Sequence, residues 1–157
     1  MNDLDAYSNK MIAAFVGKPE KTFWYQNAFS TFNVNGVDAM KWRWSWWAFG
    51  GGFLFLLYRK QYIPSLALLV ASFTVGMIPF VGLILAVLAG GYSTYFVYKG
   101  YKTKLAEIES KVDGEDKRVE TMSQVGGTHQ WVVWIYIAFV AIIALYVIGI
   151  VAALANA

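Results

Sequence analysis

Residues 61–98 read QYIPSLALLVASFTVGMIPFVGLILAVLAGGYSTYFVY, without one Lys, Arg, Asp or Glu. A charge at mid-bilayer costs about 2.5–3.5 kcal/mol on insertion scales, so a run this long without charge reads as lipid-embedded. As one helix it would measure roughly 55 Å at about 1.5 Å per residue, against about 30 Å of hydrocarbon. Gly76, Pro79 and Gly82 punctuate its middle, and Pro79 both removes a helix donor and disfavours helical Ile78. The stretch therefore predicts two antiparallel spans, 64–77 and 80–98, joined by a tight uncharged turn. A single helix kinked at Pro79 is the alternative.

Outward from that run, the charges segregate. Residues 121–157 are also free of them, and all 13 Lys and Arg fall in 1–60 and 99–118. A third span is predicted over 131–154, behind Gly126-Gly127-Thr128, with Thr128 as its N-cap. With 58% hydrophobic and 15% charged residues, and a mean hydropathy of +0.46, too little polar surface remains to clothe a water-soluble domain. The N-terminus has neither the basic n-region nor the apolar h-region of a signal peptide, so insertion is expected through the internal segments.

Residues 44–57 are too short for a span, at roughly 21 Å of helix, and three glycines, Gly50, Gly51 and Gly52, weaken them. Lys41 and Arg43 precede them; Arg59 and Lys60 follow. Crossing would put these pairs on opposite faces, against the positive-inside tendency. An interfacial or re-entrant helix is preferred, with Trp42, Trp44, Trp46, Trp47, Tyr58 and Tyr62 at headgroup depth. The expectation is an all-α integral membrane protein: three transmembrane helices, the first two a hairpin, an aromatic interfacial or re-entrant helix, and short cytoplasmic amphipathic helices. Its divisions are 1–43, 44–60, 61–98, 99–130 and 131–157, with the N-terminus inside and the C-terminus outside.

In the cytoplasmic parts, Leu4, Met11, Ile12 and Phe15 recur at helical spacing and stop before Gly17 and Pro19. Residues 22–39 are aromatic and Asn-rich, with Asn35-Gly36 as a turn. Leu105, Ile108 and Val112 continue a stripe, Glu107 and Lys111 form an i,i+4 pair, and Asp113-Gly114 ends that helix. Val119, Met122 and Val125 mark another helix. These apolar faces are expected to pack on one another.

Reactive chemistry is scarce. Without Cys there is no disulfide, thiolate metal site or Cys nucleophile. His129 has only Ser123 and Thr128 as neighbouring hydroxyls and reads as structural. Asp113, Glu115 and Asp116 lack the Asp-x-Asp-x-Asp-Gly ligand spacing. No metal or cofactor is expected. The predicted spans carry no ionisable group of the kind pumps use; Ser65, Ser72, Thr74, Ser93 and Thr94 are expected to bond their own backbone or a neighbouring helix.

The segment 44–62, WSWWAFGGGFLFLLYRKQY, resembles the signature of domain-of-unknown-function family 2628, small bacterial membrane proteins with a pattern near F-N-W-A-A-F-F-F-G-P-F-W-L-L-Y-R-K-M-Y. Trp46, Ala48, Phe49, Gly52, Leu56, Leu57, Tyr58, Arg59, Lys60 and Tyr62 match without a gap. Gly126, Gly127 and Thr128 are similar to its later G-G-T-S, and Phe15-Val16-Gly17-Lys18 to its start. Trp47, Gly50, Gly51, Phe53, Phe55 and His129 depart from the pattern; the lost Pro removes one source of a bend, and the Gly run offers another. The resemblance implies a protein of the bacterial inner membrane and supplies no reaction.

Two further patterns bear on partners. Gly82, Ala86 and Gly90, then Gly149 and Ala153, make small-residue stripes that let helices approach closely, within the chain or between chains. Arg43, Arg59, Lys60, Lys99, Lys102 and Lys104 are expected at the lipid headgroups. The sequence thus predicts a non-enzymatic accessory or scaffold subunit whose partners are the lipid bilayer and other membrane subunits or itself, and not nucleic acid. A small oligomeric channel or carrier for an uncharged or lipidic solute is the alternative.

Overall fold

The computed structural model describes the chain except Met1, Asn2, Asn35, Met77, Pro79, Asn156 and Ala157, and except the side chains of Asp3, Leu4, Asp5 and Ala155. The expectations for Leu4, Asn35, Met77, Pro79 and the last two residues fall outside it. The protein is an all-α helical membrane protein. Its elements are α1 (Asp3–Val16), α2 (Pro19–Phe32), β1 (Asn33–Val34), β2 (Val37–Asp38), α3 (Trp46–Gly51), α4 (Phe53–Tyr58), α5 (Tyr62–Thr74), α6 (Val81–Lys111), α7 (Glu115–Val125) and α8 (Gln130–Ala155). The two strands pair antiparallel, Val34 opposite Val37.

Helices α1, α2 and α7 pack around the C-terminal half of α6. Met11, Ile12 and Phe15 bury the predicted stripe of α1, and Ile108 and Met122 meet it from α6 and α7. The residues of 22–39 that gave no helix signal form α2 as far as Phe32. Pro19 suits its first turn, and Tyr25, Ala28, Phe29 and Phe32 recur at helical spacing on its buried face. Phe29 lies 5.3 Å from both Tyr98 and Tyr101 of α6. Such aromatic pairs add about 0.5–1.5 kcal/mol each beyond the area they bury.

The segment 44–57 leaves this body and returns to it. Arg43 NH and Ser45 NH donate to the carbonyls of Gly91 and Gly90 in α6, at 2.9 and 2.8 Å. Only glycine fits beneath the two indoles: a Cβ at Gly91 would lie 2.4 Å from Trp42, and one at Gly90 2.9 Å from Trp44. Ser45 Oγ then caps α3 by accepting from Ala48 NH. Gly52, at φ +50°, makes the break between α3 and α4, the bend the Gly run was expected to supply. The return is visible at the ends: the Arg43 guanidinium lies 5.7 Å from the Trp24 ring and that of Arg59 4.4 Å from the adjacent Tyr25.

Two helices, α6 and α8, are long and apolar enough to cross a membrane. The first arm of the predicted hairpin, expected over 64–77, forms at nearly that length: helix α5 has 13 residues, from Tyr62 to Thr74, about 20 Å of rise, short of a full span by itself. Thr128 does not begin α8; the helix opens at Gln130, whose side chain donates to Thr128 Oγ1.

Candidate functional site

Three stretches far apart in sequence meet at the foot of α4. Tyr58 C=O accepts from His129 NH at 2.9 Å, and Arg59 Nη1 donates to Val16 C=O at 3.1 Å. Lys60 Nζ donates to Gly126 C=O, and Gly127 NH to Phe15 C=O. Tyr62 OH and His129 Nε2 share a 2.7 Å hydrogen bond. Lys60 holds a left-handed φ of +59°, and α5 starts two residues later. A Cβ at Gly126 would lie 2.7 Å from Phe15 O, so the backbones close only on glycine. Some of the residues quoted for the resemblance, in 15–18, 58–62 and 126–129, therefore meet at one junction, while Trp46, Ala48, Phe49 and Gly52 lie in α3 and at its end.

Beside that junction lies a cavity of about 750 Å³ between α2, the α3–α4 hairpin and the start of α8. This volume is within the range of small-molecule sites. Trp24, Trp44, Trp46, Trp47, Tyr58 and Tyr136 give it aromatic walls, while Leu54, Phe55, Val132 and Val133 extend the apolar lining. Trp46 and Trp47 are 73% and 69% exposed, Trp46 packing edge-to-face with Trp44 and Phe49. Charge enters through Lys18, Lys21 and Arg59, against one carboxylate, Glu20.

Arg59 is the unusual member. It is only 5% exposed, and no carboxylate among the described residues pairs with it. Stacking on Tyr25 and the Val16 carbonyl partly offset its burial, but Nε has no partner. An ion buried without a counter-charge costs several kcal/mol even after the protein relaxes. Trp44 Nε1, in the same walls, is a second buried donor without an acceptor. Burial pushes the Tyr25 phenol above its ordinary value, against the pull of the Arg59 charge, so it stays a neutral hydroxyl.

The other expected sites disperse. Lys99 and Lys102 are exposed, while Arg43, Lys60 and Lys104 are half-buried. Lys104 Nζ donates to Val125 C=O. Gly90 packs on its own chain, Gly82 faces the Gly76 carbonyl, and Gly149 meets nothing within 4 Å. Ser72 and Thr74 donate to carbonyls of their own helix. No metal-holding group of His, Asp and Glu exists among the described residues. Sequence reasoning missed the cavity; the clustering of Trp between two basic pairs was its only trace. Chemically, the walls offer flat aromatic faces, cations that could steady an anion, and in Glu20 one group able to take a proton from a hydroxyl.

Residues 14–152 match the family described as WzyE protein, O-antigen assembly polymerase. The match covers most of the chain, which belongs to that family. This family is not family 2628, whose motifs the sequence resembles. No curated protein and no solved structure matches the chain. The family description corrects one expectation outright: a polymerase is an enzyme, so the reading of the chain as non-enzymatic is overturned. That reading rested on the lack of a reactive constellation in the sequence.

Proposed function

We propose, from that membership, that the chain works in O-antigen assembly at the membrane, where its aromatic cavity holds the sugars of a membrane-anchored glycan. The carrying observation is the cavity itself. Sugar rings present flat C–H faces, which pack on aromatic faces, and their hydroxyls need donors and acceptors nearby. Trp44, Trp46 and Trp47 supply the faces; Ser45, Gln130 and Glu20 line the same space with polar groups. The apolar side toward α8 suits the lipid part of such a molecule. In this reading the α3–α4 hairpin dips into the bilayer from the headgroup side and returns. The basic residues around it favour the cytoplasmic face of a bacterial inner membrane, with α8 leading outward.

The resemblance to family 2628 is compatible with this role: some of the matched residues build the junction that fixes one wall of the cavity, and α6 and α8 anchor it among other membrane subunits. The test is the length of O-antigen chains in cells. Removing the protein shortens them; the wild type restores them; a Trp46→Ala, Trp47→Ala double variant, present at equal abundance, does not. Chains of unchanged length in that variant overturn the proposal.

A further inference from the structure

We infer that the β1–β2 hairpin is a wedge in the boundary between lipid headgroups and hydrocarbon, and that its partner is the bilayer itself. Val34 and Val37 stand opposite each other across the hairpin and both are exposed; Met40 and Trp42, next along the chain, are exposed too. Lone exposed apolar side chains are ordinary. A run of them between residues 34 and 42 is the kind of patch that marks a contact surface. None of the four lines the aromatic cavity, so the inference stands apart from the glycan reading.

What covers this patch follows from its depth along α6. The charge-free run ends at Tyr98 and Lys99 is the first cation after it, so that turn of α6 marks the headgroup level. The hairpin is tied to the same turn. Tyr98 OH donates to the Asp38 carboxylate, which also accepts from Asn33 Nδ2, and Phe32, just before the hairpin, lies 5.5 Å from the Tyr98 ring. From there the chain descends along α6: Trp42 packs edge-on against Tyr92 at 5.1 Å, and Arg43 NH reaches Gly91 C=O. Gly91 lies about 10 Å further into the lipid than Tyr98, at about 1.5 Å per residue of helix. The patch thus begins at the headgroups and runs without a break into the lipid-covered surface. The hairpin itself goes no deeper, because a two-stranded sheet leaves edge N–H and C=O groups that interfacial water can satisfy and hydrocarbon cannot. Charge points the same way. Exposed Lys41, Lys99 and Lys102 surround the hairpin and complement anionic headgroups, while the Asp38 carboxylate is already engaged.

The chain contains no Cys, so a single nitroxide label reports one position. The full chain carrying Val37→Cys is labelled and placed in nanodiscs of phosphatidylethanolamine and phosphatidylglycerol. Collisions of the label with oxygen, which concentrates in lipid, are compared with those of a water-soluble nickel chelate. Exposed Lys117→Cys on α7 and Ile142→Cys on α8 calibrate water and hydrocarbon. The Val37 label should read about 5–10 Å into the boundary, the depth of interfacial segments, between the two controls. Val34→Cys, across the hairpin, should give the same depth and serves if a label at Val37 disturbs the pairing. A second arm asks whether the hairpin holds this depth: Val34→Asp with Val37→Asp should shift a label at Met40 towards water. A Val37 label as open to nickel as that at Lys117, or one shielded from both reagents by a protein neighbour, overturns the inference. So does a Met40 label that stays in place.

Discussion

Helices α6 and α8 are both long enough and apolar enough to cross a bilayer, yet they live in different surroundings. Helix α6 buries Ala89, Gly90, Gly91, Ser93, Thr94, Val97 and Tyr98 against its own chain. Helix α8 touches the rest mainly through its first turns, with Ile142, Leu145 and Val151 each 60% exposed or more. The difference lies in side-chain size. Glycines in α6 admit the indoles of Trp42 and Trp44, whereas α8 presents large aliphatic side chains for which lipid is already a good solvent. Apolar composition thus marks a helix for the membrane, and the placement of small residues decides whether protein or lipid covers it.

The sharpest way to break this contrast is Gly91→Leu. With a Cβ already 2.4 Å from the Trp42 ring, the indole must leave. Overpacking costs about 1–3 kcal/mol and occasionally more; an effect at or above the top of that range is expected, as a lowered unfolding midpoint in detergent. Ile108→Ala, in the buried part of α6, should follow with about 2–5 kcal/mol, while Ile142→Ala in α8 should cost far less in the same assay. Tyr98→Phe removes the hydroxyl that donates to the Asp38 carboxylate, a loss of about 1 kcal/mol or slightly more.

That last bond also sets a pH dependence. The Tyr98 hydroxyl foremost, with help from Asn33, Lys102 and Lys99 and against some burial, holds the Asp38 carboxyl below its ordinary value of 3.8. A depressed carboxylate lends stability above that ordinary value and loses it as pH falls through the lower folded one. The acid limb of stability should therefore flatten in Tyr98→Phe. Smallest in cost, Gly149→Leu meets nothing within 4 Å and should lose no stability, gaining up to about 1 kcal/mol in helix propensity. A large loss there would show that α8 has a protein neighbour.

Much of the membrane architecture was legible because electrostatics writes it plainly: the charge-free runs contain all of α8 and the first 18 residues of α6, and the glycines of 50–52 do yield a bend. Helix α2 was hidden by polar and aromatic residues whose periodicity is weak beside the spans. Where α5 would stop was equally hidden, since its apolar residues run on past Thr74. The cavity was illegible for another reason. Arg59 read as a headgroup anchor because nothing local distinguishes a snorkelling arginine from a buried one; only the fold brings Val16, Tyr25 and the α8 start around it. The same holds for enzymatic character, which no motif in the chain announced.

The junction of residues 15–18, 58–62 and 126–129 has a consequence for how the protein is made. Phe15 C=O cannot accept from Gly127 NH, nor Tyr58 C=O from His129 NH, until those residues have been made, and the indoles of Trp42 and Trp44 must wait for Gly90 and Gly91. The junction thus closes as a latch only once the chain leading into α8 is present.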